Sequence, residues 1–423
     1  MPVAARVANQ SHPLLAALKA GPAGEDTFWE RMEVERTPLI EPDPERPGFS
    51  LVSYVFPLPE GSKSVVVWPG FGQAADGVME RIPGTNVCHA TYRYRDDVRA
   101  TYGFRLDQPL TAIETASDAE WKAYLAAMSG MELLPDPHHR ESFAHRAGGG
   151  RPDIGRSILT LPDAPDQAGG RRDIETPHGK LDAHTFWSEV LGNERRIWVC
   201  TPPGYASGVG HRMLLVLDGG SALVGKPIHR VLDELVADGR IRPMVAVFVD
   251  NPTPAARFED LHCSEPFARF IETELIPWVR ERYAVSHDPA DSCATGSSAG
   301  GLAALWIGLR LPRLFGVIIS QSAALWWGPG YERDKPLRSQ RYAPGWLIDE
   351  YERAPTLPLR IWQQVGLMET EDRMIEPNRR LKAVLEAKGY DLTYREMAGG
   401  HDPTIWRGTI GEALATMVPC ASA

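Results

Sequence analysis

The sequence predicts an α/β domain with a mostly parallel sheet and helices on both faces, preceded by a small all-β sandwich. Three observations carry this. Beyond about residue 165, short buried strands alternate with segments of helical length, the pattern of a parallel sheet. Before it, short runs alternate apolar and polar residues between Pro and Gly, the pattern of antiparallel strands. Between the two, residues 135–172 are dense in Pro and Gly, as in Pro-Asp-Pro-His-His-Arg (135–140) and Ala-Gly-Gly-Gly-Arg-Pro (147–152), which blocks regular structure and marks a boundary. The assignment is an N-terminal extension (1–26), a β-sandwich accessory domain (27–164) and an α/β domain (165–423). A chain of 423 residues suits two domains with sizeable cores.

Within the sandwich the strands are read at 49–57, 63–69, 86–94 and 100–105. In the α/β domain they are read at 196–201, 213–217, 243–249, 291–294, 316–320 and 359–365, with helices at 223–238, 265–283, 301–311 and 376–388. In such sheets chemistry collects beyond the carboxyl ends of the strands, so the residues just after each strand carry the functional reading.

Composition excludes several classes of function. Acidic residues outnumber basic ones 55 to 45, for a net charge of −10, and no Lys/Arg run exists to neutralise a phosphate backbone, so nucleic acid is not expected as a partner. The longest apolar runs are strand-sized, which excludes a membrane span. Five cysteines, odd in number, widely spread and without a CxxC pair, argue against both a disulfide framework and a zinc site. With no signal-like apolar segment at the N-terminus, a cytoplasmic location is expected. His138 and His139 sit in the Pro-rich stretch and read as loop residues, not metal ligands.

The chemistry begins at Thr295-Gly296-Ser297-Ser298-Ala299-Gly300-Gly301, after a strand and directly before a helical run. This is GxSxG in strand-turn-helix context, where glycines permit a sharp turn that exposes the Ser298 hydroxyl, and it specifies an α/β-hydrolase domain. A serine nucleophile needs a base and an orienting acid, in chain order Ser, acid, His. His401, in Gly399-Gly400-His401-Asp402 after the last strand, is the expected base. The acid should follow strand 359–365; Glu369 is nearest the strand end and is preferred, with Glu371 and Asp372 left open. For the oxyanion hole, Ala299 follows the nucleophile, and Gly220 is assigned from Leu217-Asp218-Gly219-Gly220-Ser221, with Gly219 as the alternative.

The chain resembles the enterochelin (ferric enterobactin) esterase family. The likeness covers the elbow and following helix, Phe315-Gly316, Ser320-Gln321-Ser322 with Trp326-Trp327, the segment from Arg257 through Leu261 and Cys263 to Phe267, and Gly399 to Gly408. It extends into the first half through Phe28-Trp29, Arg81 to Val87, and Arg99, Tyr102 and Phe104. The chain departs from the family at Ser264, Ser297, Ala299 and Asp260, positions nearer the substrate mouth than the triad. The resemblance implies hydrolysis of a catecholate siderophore, with no cofactor and iron arriving only as part of the substrate. Such a bulky aromatic anion calls for local positive charge and aromatic surface, for which Arg257, Trp326 and Trp327 are the candidates; a salt bridge for Arg257 and core packing for the tryptophans remain open. The accessory domain is expected to help bind the large substrate around Arg99, Tyr102 and Phe104 and to supply no catalytic group, so that a fragment cut near residue 165 keeps small-ester cleavage. A different hydrolase on the same fold and a non-catalytic ligand-binding protein are the rival readings.

Overall fold

Nine strands in the first 160 residues form two sheets, in a computed structural model that describes residues 2–7, 12–21, 24–69, 74–112, 115–129, 131–146, 153–167, 176–336 and 339–420. The chain runs β1 (Ala4–Arg6), α1 (Pro13–Ala20), α2 (Glu25–Glu35), β2 (Leu39–Pro42), β3 (Phe49–Pro57), β4 (Val65–Trp68), β5 (Glu80–Arg81), β6 (Val87–Arg95), β7 (Arg99–Leu106), α3 (Asp118–Met128), β8 (Ser142–Arg146) and β9 (Asp153–Thr160). One sheet has the order β1-β6-β3-β2, with β5 also on β6, and the other β4-β7-β9-β8. Val52, Tyr54 and Tyr92 of the first sheet meet Val65, Val67, Tyr102 and Phe104 of the second in one core, which makes the sandwich.

β3 is buried along almost its whole length because its other face is covered as well. Val55 packs with Leu15 and Leu18 of α1 and Phe28 and Met32 of α2. β1, α1 and α2 therefore belong to the domain, as an edge strand and a helical layer, where the sequence reading has an extension over 1–26. The Pro/Gly-dense stretch also differs from its reading. It contains β8 and β9, which pair with each other, and β9 pairs in turn with β7, so strand partners override local composition there. Residues 147–152 and 168–175, the most Gly-rich parts, lie outside the described residues.

The second half continues β10 (Lys180–Ser188), β11 (Asn193–Thr201), β12 (Arg212–Leu217), α4 (Gly219–Val224), α5 (Ile228–Ala237), β13 (Met244–Val249), α6 (Pro254–Leu261) and α7 (Glu265–Phe270), which passes through one π turn into α8 (Ile276–Arg282). Then come β14 (Ser292–Ser297), α9 (Ala299–Arg310), β15 (Val317–Gln321), α10 (Trp346–Arg353), β16 (Arg360–Gly366), α11 (Glu376–Ala387), β17 (Asp391–Met397) and α12 (Pro403–Met417). The sheet order is β10-β11-β13-β12-β14-β15-β16-β17, antiparallel through the first three strands and parallel beyond. Successive β12 residues alternate between the two faces. Met213, Leu215 and Leu217 join the core under α7 to α11, while Leu214 and Val216 join the core under α5 and α12. The single helix read over 223–238 is two helices, because Pro227 cannot continue α4, and the break turns Lys226 inward. No helix among the described residues is long and apolar enough to cross a membrane.

Leu15 is fully buried between α1 and the first sheet. Leu15→Ala is expected to lower stability by about 2–5 kcal/mol, the range for emptying a buried leucine site. Urea denaturation checks this; an unchanged midpoint would make α1 a detachable extension after all.

Candidate active site

Ser298 stands between β14 and α9 with φ 59° and ψ −121°, a strained conformation that a non-glycine residue holds only when its surroundings demand it. The demand is steric. A Cβ on Gly296 would lie 2.4 Å from the Gly300 backbone, and one on Gly301 2.9 Å from the Gln321 carbonyl, so glycines alone permit the turn. The Ser298 N–H donates to the Gln321 carbonyl of β15, and the Ser298 carbonyl accepts from Ala324. The side chain makes no helix-capping bond and faces a 450 Å³ cavity over the carboxyl ends of the strands. Ala299 opens the 12-residue α9, so its N–H belongs to the unsatisfied first turn and points where negative charge is favoured.

His401 lines the same cavity. Its Nδ1 lies 2.7 Å from Glu369 Oε2, and the ring meets Trp406 edge-on with centroids 4.9 Å apart. Glu369 is buried, and its Oε1 accepts from Ser322 Oγ (2.6 Å) and the Gly366 N–H (2.9 Å). Ser322 Oγ in turn accepts from Trp406 Nε1 at 2.9 Å. A carboxylate is an acceptor only, so this pairing puts the proton on Nδ1 and leaves Nε2 as the basic atom. Ser298 Oγ and His401 make no hydrogen bond to each other in this structure, although both border the cavity. Of the three carboxylates in the acid loop, Glu371 pairs with Arg379 and Asp372 is exposed; Glu369 alone meets His401.

Other expected residues lie differently. Gly220 does not border the cavity, and the Asp250 carboxylate would meet any Cβ placed there at 3.0 Å, so Gly220 stands against Asp250 and not in the cavity wall. Arg257 borders the cavity from α6, but its guanidinium is engaged by Asp218 in a bidentate pair (2.6 and 2.7 Å), and that carboxylate raises its pKa. The sequence reading had treated Asp218 as part of a Gly-rich turn. Trp326 lines the cavity, whereas Trp327 turns into the core against His262 and Trp346.

The cavity also holds residues with no signal in the sequence. Arg333 and Arg373 border it, and among the described residues neither makes a salt bridge; Arg373 lies 4.2 Å over the Trp326 ring. Phe258, Tyr331 and Trp326 form its aromatic side. His262 is pushed down to about 4 by burial and is neutral. Lys226, 5% exposed, donates to Ser297 Oγ at 2.8 Å, and burial lowers its pKa to about 8. Four cations thus face the cavity against one lining carboxylate, Asp218, in a chain of net charge −10. These side chains come from separate parts of the chain, so no spacing announces them. Among the described residues no cluster of three or more His, Cys, Asp or Glu is placed to hold a metal.

Two family models match the chain: "Putative esterase" over residues 188–417 and "Enterochelin esterase, N-terminal" over residues 67–169. An iron(III) enterobactin esterase of Dickeya dadantii is 28% identical over 430 residues, covering 95% of each chain. One from Escherichia coli O6:H1 is 30% identical over 350 residues, covering 79% of this chain and 80% of its own. The crystal structure of the enterobactin esterase of Shigella flexneri in the presence of enterobactin superposes with a TM-score of 0.71 at 25% identity, over 93% of this chain and 98% of the other.

The buried ammonium of Lys226 costs the fold about 3 kcal/mol at neutral pH, at roughly 1.4 kcal/mol per pKa unit. Lys226→Met is therefore expected to be more stable than the native chain at pH 7. Below pH 8 the lysine is charged in both folded and unfolded chains and the penalty is complete. Between pH 8 and 10.5 the unfolded chain holds a proton that the folded one has released, so native stability rises and the gap to the variant closes. Denaturation midpoints across this range check the sign; a variant less stable than the native chain at pH 7 contradicts it.

Proposed function

The chain belongs to the family of the iron(III) enterobactin esterases, and from that premise we propose that it is a serine esterase which hydrolyses the ester bonds of a ferric tricatecholate siderophore of the enterobactin type. The observation that carries the reading is a strained Ser298 and a Glu369-oriented His401 bordering one cavity whose wall is cationic and aromatic. Ser298 Oγ attacks the ester carbonyl while His401 Nε2 takes its proton. The oxyanion gathers at the N-terminus of α9, where Ala299 N–H is one donor. The imidazolium, held by Glu369, returns the proton to the departing alcohol oxygen as the C–O bond breaks. Water then attacks the acyl-serine by the same route and releases the carboxylic acid and free Ser298.

Lys226, Arg333 and Arg373 supply positive potential for the catecholate anion, and Trp326, Tyr331 and Phe258 supply faces for its rings. Arg257 contributes through the Asp218 pair, holding the loop after β12 against α6. Iron enters with the substrate. A reducing compartment such as the cytoplasm fits five unpaired cysteines.

Mass spectrometry of products from a panel of apo and ferric siderophores tests the substrate class; cleavage of simple aryl esters with no catecholate product would favour another ester. Ser298→Ala and His401→Ala are each expected to lower turnover by at least about 10³-fold, and the double variant by little more, because the pair acts as a unit. Either variant retaining most activity would contradict the assignment. Arg333→Ala/Arg373→Ala should raise KM for the ferric siderophore and flatten its salt dependence, with kcat on a small neutral ester nearly unchanged.

KM for the anionic substrate should rise above about pH 8 as Lys226 loses its charge, and Lys226→Met should lack that rise. A native KM that is flat from pH 7 to 10 would remove Lys226 from binding.

A further inference from the structure

We propose that the N-terminal domain is a positioning element for the catalytic base and acid, acting through Thr101 on Asp402 and through its core on Met368 and Ala398. The inference rests on the reading of Ser298, His401 and Glu369 above. Asp402, which follows His401, has no exposed surface. Its Oδ1 accepts from the N–H and Oγ1 of Thr404, which caps α12. Its Oδ2 accepts from the N–H of Thr101 at 2.6 Å and from Thr101 Oγ1, both on β7 of the other domain. A buried carboxylate needs all four donors, and half of them come from across the domain boundary. Arg156 Nη1, on β9, donates to Thr101 Oγ1 at 3.3 Å and so orients that hydroxyl toward Asp402.

The acid side is anchored in the same way. Met368, which precedes Glu369, and Ala398, at the entry to the His401 loop, are members of the sandwich core with Tyr102, Phe104 and Val67. The two loops are joined by the bonds Leu367 N–H to Met397 O and Met368 N–H to Gly399 O. Gly399 lies against the Arg99 carbonyl of β7, where a Cβ would come within 3.3 Å. Glu369 thus directly follows a residue set in the N-terminal domain, and His401 directly precedes one. The Nδ1–Oε2 geometry of 2.7 Å is therefore held from outside the hydrolase domain. The sequence reading expects this domain to bind substrate around Arg99, Tyr102 and Phe104, but Tyr102 and Phe104 are buried in the sandwich core and offer no such surface. A fragment cut near residue 165 would leave Asp402 Oδ2 without both donors and the two loops without their packing.

The test uses the full chain and a small activated ester such as p-nitrophenyl butyrate, which is too small to reach the sandwich. Thr101→Val, which keeps the shape and removes the hydroxyl, is expected to lower kcat at least tenfold with KM within twofold of native. Thr101→Ser should recover kcat to within twofold. The acid limb of the kcat/KM profile should move in Thr101→Val, and the low-field Nδ1 proton resonance of His401 should broaden or shift. A folded Thr101→Val with native kcat and an unmoved acid limb overturns the proposal, as does a loss of kcat that Thr101→Ser does not restore. Should Thr101→Val fail to fold, the native chain decides. Small-ester turnover must disappear in the same urea transition in which the amides of β3 and β6 exchange, and turnover that outlasts that exchange overturns the proposal. Ser298→Ala run in parallel separates the cases, because small-ester activity surviving in it would mean that the site reading has failed and not the positioning.

Discussion

The hydrogen bond between Glu369 and His401 sets the terms for the rest of the site, because it requires an ionised carboxylate in a place water does not reach. An isolated carboxylate there would be neutralised or would destabilise the fold by several kcal/mol. Glu369 is kept by donors from three directions: Gly366 at the end of β16, Ser322 beyond β15 and His401 beyond β17. Those strands must therefore be neighbours, parallel and in register at their carboxyl ends, which is what the order β14-β15-β16-β17 provides. The same β15 end takes the Ser298 N–H through Gln321, so nucleophile and acid are indexed to one strand. Trp406, donating to Ser322 and lying edge-on to His401, closes this network from α12.

Charge follows a different logic. A chain of net −10 repels a polyanion at long range, so binding one depends on a local reversal inside a low-dielectric cleft. Arg257 and Asp218 cancel each other and contribute structure more than potential. The reversal comes from Lys226, Arg333 and Arg373. Lys226 is informative because its burial opposes its own charge: a cation kept at a cost to stability, 2.8 Å from the neighbour of the nucleophile, is better explained by what it binds than by what it stabilises.

How much was legible in the sequence follows from how local each cause is. The elbow could be read because its steric demand falls on Gly296 and Gly301 within one heptapeptide. His401 could be read because chain order and a Gly-flanked loop fix it. Glu369 was separable from Glu371 and Asp372 only by distance from the strand end, and the structure pairs Glu369 alone with His401. Gly220 misled because its surroundings include Asp250, which belongs to another strand end. Trp326 and Trp327 are adjacent in a loop, where no period says which faces the cavity. β8 and β9 were hidden by Pro and Gly because their strand character is supplied by partners, β7 for β9 and β9 for β8. Lys226, Arg333 and Arg373 converge from three separate segments, and only tertiary structure brings them together.

The same distinction between local and non-local causes bears on why two domains share one site. The hydrolase sheet ends in loops that carry glycines for close approach, Gly366 before Leu367-Met368 and Ala398-Gly399-Gly400, and glycines hold a loop in place poorly. Loops of this kind sit at the low end of local stability unless something covers them. The sandwich covers them with apolar contacts to Met368 and Ala398 and with two donors for Asp402. The cavity mouth can then stay open for a wide ligand while Glu369 and His401 beneath it keep their 2.7 Å contact. A lid of the hydrolase domain's own would have to close over the substrate to give the same rigidity. A second folded domain gives it without closing, and so reconciles an open mouth with a preorganised base.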